Sequence, residues 1–441
     1  MTVTASLNAP VWQGDVAGRL IQVARQRPDR PAVIDVHGTT TFAALYTAAA
    51  RHALEAERNT ITDGGVAPVR VSSDAAFFSQ VCGELMAGRT PLILPSRIPR
   101  KAADQAAEAV RHTRLGCRPW KAVLTVLHGR QVAVVTHGES PGAPRKAQAL
   151  GMTRGGRILL AAPLHLNGPF EFALRQLLLG GSVVLLPSFS ADRWAHAIQK
   201  ERPDWAFLVP TQLQQVLDTV GDAATGEICA PLRYLVHSSE PCPPPLGERL
   251  AAALGPRLSE YYGTTLYDGT LTRHEASCGT PLPGAELRIV DRHGWPVAQG
   301  ATGRIEGRSR CGLFNHPAGG TCHSAPTWQG VGDIGRRLPG GLLQVTGTDV
   351  EGRVIVAGVK VSPEETRQVL LEHPSVSTCT VTVRPHGRFG SVLAAVVESV
   401  SPELTTAALR SWCAQRLTSP QRPHALELRP CLPESKRESH A

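Results

Sequence analysis

The chain has 441 residues, 42% hydrophobic and 19% charged, with a formal charge of +9 at neutral pH. That length predicts two or three subdomains of a soluble globular protein, and no apolar run approaches the roughly 18 residues a membrane span needs. The opening MTVTASLNAP has no basic segment ahead of an apolar core, so the expected setting is cytoplasmic with no membrane span.

Ten cysteines are scattered with no CxxC pair, which reads as free thiols in a reducing compartment rather than a disulfide framework or zinc site. The positive charge is spread out and is densest in the tail, at Arg422, Arg429, Lys436 and Arg437. No aromatics interleave with it, so nucleic acid is not an expected partner.

In chain order, Pro31 to Leu45 reads as a strand, a His37-Gly38 turn, a second strand and a helix start. Phe77 to Pro95 is an apolar helix stopped at Gly88 and followed by a buried strand. Val132 to Thr136 is a β-branched strand that enters a Gly/Pro-rich loop. Arg157 to Ala162, Ser182 to Pro187 and Trp205 to Pro210 are apolar strands separated by helix-like segments, one of them Phe170 to Leu179. Such alternation predicts parallel α/β layers.

Thr280 to Gly307 alternates as β-structure around an Asp291-Arg292-His293-Gly294 turn. Two short strands, Val354 to Val356 and Val359 to Val361, then flank Gly358. Ser362 is a good N-cap, Pro363 suits the first helical position, and Glu364 and Glu365 complement the helix dipole. His373-Pro374 ends that helix.

Between these elements stand VTHGESPGAPRK (135–146), PLHLNG (163–168), VPT (209–211), LVHSSEP (235–241), SEYYGTTL (259–266) and VGDIGR (331–336). Their order resembles that of the acyl-adenylate-forming enzymes, a superfamily of acyl-CoA synthetases, peptide-synthetase adenylation domains and luciferases. The likeness is collinear from about residue 31 to 436, and the chain looks like a divergent, shortened member. It implies an α/β fold: a large N-terminal AMP- and acyl-binding domain (1–348) of layered α/β subdomains with a β-barrel portion, and a small α+β C-terminal lid (349–441). It also implies that ATP and Mg2+ activate a carboxylic acid to an acyl-AMP. The acyl group then passes to a thiol, of CoA or of an acyl or peptidyl carrier protein's phosphopantetheine. Two other readings stand beside this one: a nucleotide- and acyl-binding relative that lacks catalysis or one half-reaction, and a ligase forming amides on a small amine. The basic surface is either solvated or attracts ATP, CoA phosphates or an acidic carrier.

Site residues follow from the same resemblance. Thr136, Gly138, Ser140 and Gly142 would cradle the triphosphate with backbone N–H groups, and Arg145 or Lys146 would be its cation. His165 either lines the acyl pocket and meets the carboxylate or caps a strand end. Ser239 and Glu240 belong to a backbone wrap around adenine. Tyr262 would stack on adenine beside Gly263 and Thr264, and the Thr265 hydroxyl would reach the α-phosphate. Asp333 would accept both ribose hydroxyls, a task suited to two acceptor oxygens. The ribose-touching arginine of relatives falls on Thr348, with Arg353 the nearest arginine. Lys436 would bridge carboxylate and α-phosphate as charge develops. Where relatives hold magnesium with a glutamate this chain has Leu266, and Asp268, two residues later, could replace it. His137, Glu139 and a shortened loop before Lys436 also depart from the family, and the stretch before Pro163 is short enough to lack a helix of the large domain.

Overall fold

The computed structural model describes residues 16–58, 65–96, 98, 103, 104, 106, 107, 121–127, 130–136, 144–239, 242–264, 268–273, 278–309, 311–315, 327–348, 354–356, 359–387 and 389–430. The chain forms two compact units, Met1–Asp349 and Val350–Ala441.

In the first unit a nine-stranded sheet carries the apolar runs seen in the sequence. From one edge to the other its strands are Thr280–Pro281, Asp268–Arg273, Leu258–Gly263, Tyr234–His237, Trp205–Leu208, Arg157–Leu160, Ser182–Leu185, Pro31–Asp35 and Gly38–Thr41. The strands from Leu258–Gly263 to Pro31–Asp35 are parallel, and the outer ones pair antiparallel. Alternate side chains of a strand point to opposite faces, and here both faces are covered. Ile158, Leu160, Trp205, Phe207 and Val236 join a core with the helices Val16–Gln26, Phe42–Arg58, Ala75–Met86 and Asn167–Leu178. Leu159, Ala206, Leu208 and Leu235 join a second core with Ala191–Glu201, Pro210–Val220 and Pro244–Leu254.

Several boundaries differ from the sequence reading: the strands expected to reach Ala162 and Pro187 end at Leu160 and Leu185, and two others shift at prolines. The helix expected from Phe170 opens earlier, at Asn167, because Pro169 lies in its first turn, where no intrahelical N–H is needed. The strand expected to reach Pro210 ends at Leu208, and Pro210 instead starts the next helix. The Val209 N–H donates to Gln212 Oε1 at 3.1 Å, closing that helix start. Between the loop after Thr136 and Pro163 the described helix is short, Pro144–Ala149.

A five-stranded sheet of Cys311–Asn315, Arg130–Thr136, Lys121–Leu127, Thr90–Leu94 and Val66–Arg70 shares the first core through Val69 and Ile93. The expected barrel portion is, among the described residues, a four-stranded antiparallel sheet: Leu287–Val290, Thr302–Ser309, Thr327–Arg337 and Leu343–Thr348. Reciprocal backbone bonds between Gly279 and Leu343, at 2.7 and 2.9 Å, tie it to the edge of the large sheet.

In the second unit the strands Val354–Val356 and Val359–Val361 pair antiparallel and lead into the helix Pro363–Leu371. Ser362 Oγ accepts from the Glu365 N–H at 3.3 Å. A three-stranded sheet (Val376–His386, Gly390–Ser399, Ala425–Pro430) packs Val397 against Leu370 of that helix and Leu409 of Thr406–Arg416. Among the described residues no helix is long and apolar enough to cross a membrane. The described cysteines 82, 229, 242, 278, 379 and 413 are free thiols.

Helices Phe42–Arg58 and Ala75–Met86 touch at Gly83, where a Cβ would fall 2.5 Å from His52 Cβ and 2.7 Å from the Ala49 carbonyl oxygen. Gly83→Ala should therefore destabilise the first unit by about 1–3 kcal/mol, as overpacked contacts do. The check is the urea midpoint at unchanged slope; an unmoved midpoint would contradict the close approach.

Candidate active site

Parallel strands end on one edge, and in open α/β sheets ligands bind outside their carboxyl ends. Here the strands ending at Gly263, His237, Leu208 and Leu160 are consecutive neighbours. The segments leaving them carry Thr264, Ser239, Val209 and His165, so residues far apart in sequence reach one edge.

The paired tyrosines of SEYYG divide by strand alternation. Tyr261 faces the first core, its ring 5.4 Å from that of Phe172, which also meets Trp205 at 5.2 Å and Phe207 at 5.6 Å. Tyr262 faces the other way and donates its hydroxyl to Asp333 Oδ2 at 2.9 Å. Asp333 is 4% exposed on the strand Thr327–Arg337, so two sheets meet at this bond. Gly263 leaves room for the core-facing tyrosine two residues before it. A Cβ there would lie 2.2 Å from the Tyr261 hydroxyl oxygen.

The ladder puts Thr348 directly across from Asp333. The position at which the family's arginine falls is therefore paired with Asp333 across the ladder, and its residue is neutral. Asp268 pairs with Gly263 across the adjoining antiparallel ladder, at the same strand end.

Ser239 has φ 79°, a left-handed conformation that costs an L-residue about 1–2 kcal/mol and that glycine adopts freely. His165, on the segment after Leu160, is partly buried, and burial pushes its imidazole down to about 4. At neutral pH it thus offers one N–H donor and one acceptor, without charge. Thr136 ends its strand across from Lys121 and Cys311. Arg145 and a partly buried Lys146 lie on the short helix that opens at Pro144. Gly138, Ser140, Gly142, Glu240, Thr265, Leu266, Arg353 and Lys436 lie outside the described residues.

One residue at this edge was missed by sequence reasoning. His237, the last residue of its strand, is 4% exposed, and its Nδ1 has no hydrogen-bond partner among the described residues. In register it neighbours Leu208 and Glu260. The available signal was a histidine closing an apolar strand just before Ser238-Ser239, in a phrase read only for its backbone.

Burial pushes His237 down to about 4 from an ordinary 6.5. Below pH 6.5 the unfolded chain binds this proton before the folded one does. The stabilisation from keeping it neutral is complete above pH 6.5 and is lost as pH falls toward 4, on the order of 3 kcal/mol in total. His237→Gln should flatten the loss of denaturant stability over that window. An identical pH slope in the variant would show that His237 titrates normally.

The sequence and the fold have counterparts among known proteins. The family model described as AMP-binding enzyme matches residues 128–314, and the AMP-binding enzyme C-terminal domain matches 365–438. A medium/long-chain-fatty-acid–CoA ligase, FadD8 of Mycobacterium tuberculosis, is 26% identical over 77% of this chain and 64% of its own length. The chain spans 53% and 49% of two further curated CoA ligases. Among solved structures, an o-succinylbenzoate CoA synthetase (MenE) mutant from Bacillus subtilis is 22% identical with a TM-score of 0.76, covering 94% of this chain and 95% of that one. The amide bond synthetase McbA of Marinactinospora thermotolerans is 21% identical with a TM-score of 0.76, covering 95% and 96%. The solved structures share the fold, and the two family models together match more than half of the sequence in the right order. The chain belongs to the AMP-binding enzyme family.

Proposed function

We propose that this chain activates a carboxylic acid with ATP, in the cytoplasm, and passes the acyl group to a thiol of CoA or of a carrier protein's phosphopantetheine. The observation that carries the reading is the meeting of Tyr262 and buried Asp333 at the carboxyl edge of the parallel strands. An aromatic ring beside a carboxylate suits a nucleoside, because one offers a stacking face and the other accepts from a vicinal diol.

In this reading an acid oxygen attacks the α-phosphorus, and pyrophosphate leaves. The acceptor sulfur then attacks the acyl carbonyl, and AMP leaves. Proximity of carboxylate and α-phosphate removes much of the entropic barrier. Thr136, Gly138, Ser140 and Gly142 would hold the phosphates, with Arg145 or Lys146 as cation. Ser239 and Glu240 would flank adenine, and Thr264 would adjoin it. The Thr265 hydroxyl would contact the α-phosphate, and neutral His165 would meet the acid. Lys436 is the cation assigned to the developing charge. Asp268, across from Gly263, is the carboxylate that would hold Mg2+. When bound, the ion neutralises phosphate charge. Thr348 occupies the arginine position, and Arg353 is the nearest arginine that would serve the ribose in its place.

The test is pyrophosphate release with ATP, magnesium and hydroxylamine across aryl, short-chain and long-chain acids. Acid-dependent release with hydroxamate formation is expected. Lys436→Ala should lower it at least about a hundredfold, the scale of one lost transition-state contact, and Asp333→Ala should abolish ATP binding. ATP binding with no turnover on any acid would replace the enzyme with a nucleotide-binding relative. Amide formation from a small amine, with no thioester, would replace the thiol acceptor.

A further inference from the structure

We infer that the Tyr262 hydroxyl is a positioning group for the ribose: it holds the Asp333 carboxylate in the orientation that receives the sugar hydroxyls. The inference rests on the nucleotide-binding reading above and deepens it.

Asp333 is 4% exposed, and a buried carboxylate needs donors around it. One donor the fold supplies is Tyr262 Oη, 2.9 Å from Oδ2. The residue across the ladder is Thr348, which brings no positive charge. A carboxylate accepts at about four lone-pair sites, so a tyrosine O–H on Oδ2 is compatible with a vicinal diol on the same group. Tyr262 is itself held from behind, since its neighbour Tyr261 is fixed against Phe172 in the core. The hydroxyl therefore joins the ring assigned to the base and the carboxylate assigned to the sugar into one unit, across two sheets. A hydrogen bond to a charged group is among the stronger ones, so its loss should be measurable in binding.

The experiment compares equilibrium binding of ATP and 2′,3′-dideoxy-ATP to the full chain. Wild type should prefer ATP. Tyr262→Phe keeps the ring and should weaken ATP about tenfold or more, the scale of one charge-assisted hydrogen bond, while binding dideoxy-ATP as wild type does. Adding Thr348→Arg to that variant should restore the preference, by placing a donor cation across from Asp333. A purely structural role for Tyr262 would weaken both nucleotides equally. A Tyr262→Phe variant with the wild-type preference, or with equal losses for both nucleotides, overturns the inference and leaves the nucleotide-binding reading intact. Wild type that binds ATP no better than dideoxy-ATP, or binds neither, overturns the ribose assignment and the inference together.

Discussion

A ladder of parallel strands has all its carboxyl ends on one side, and the rest of the first unit follows from that constraint. Arg157–Leu160, Trp205–Leu208, Tyr234–His237 and Leu258–Gly263 are neighbours in the sheet although helices separate them in sequence. Both faces are buried, so the irregular backbone available for chemistry is at the strand ends. The inter-strand hydrogen bonds of the ladder set the spacing between those ends. A ligand at this edge would meet four chain segments whose relative positions are fixed by backbone hydrogen bonds rather than by flexible loops.

The site adds a second constraint, the burial of a carboxylate. Asp333 comes from the antiparallel four-stranded sheet, and its tyrosine partner comes from the parallel one. The backbone pairing of Gly279 with Leu343 holds the two sheets in register close by. Thus the same contact that satisfies a buried acceptor also sets where a sugar and a base would lie relative to each other. Gly263 makes this possible by leaving room for the Tyr261 hydroxyl, so the core-facing tyrosine can sit flush while the next residue turns outward.

Much of this was legible in sequence. Apolar runs of strand length, Gly88 as a helix stop, and Ser362-Pro363-Glu364-Glu365 as a helix start are local signals, and the elements formed where those signals lie. Asp333 stood out through VGDIGR, and Tyr262 through SEYYG. Strand periodicity alone could not show which tyrosine faces the core, because two adjacent aromatics at a strand end satisfy either register; only the resemblance pointed to Tyr262. Nor could it show that Thr348 is opposite Asp333. That pairing depends on a bulge between Ile334 and Gly335, which shifts the register by an amount no local pattern encodes. His237 escaped for a related reason: its interest lies in a missing partner, and partners are set by tertiary packing.

Two departures from the family phrases fall on described residues, Ser239 and Thr348, and they are alike in kind. At Ser239 a side chain has replaced a position suited to glycine, yet the backbone keeps φ 79°. A strained conformation persists only where its surroundings over-determine it. Ser239 follows directly on the strand that ends at His237, so this local cost falls at the carboxyl edge of the parallel strands. At Thr348 the ladder is likewise intact and only the charge is gone. Both changes leave the backbone frame in place and alter what projects from it. A left-handed residue just past the His237 strand end and a buried carboxylate with a tyrosine donor are the two features of this frame that the proposed nucleotide reading draws on.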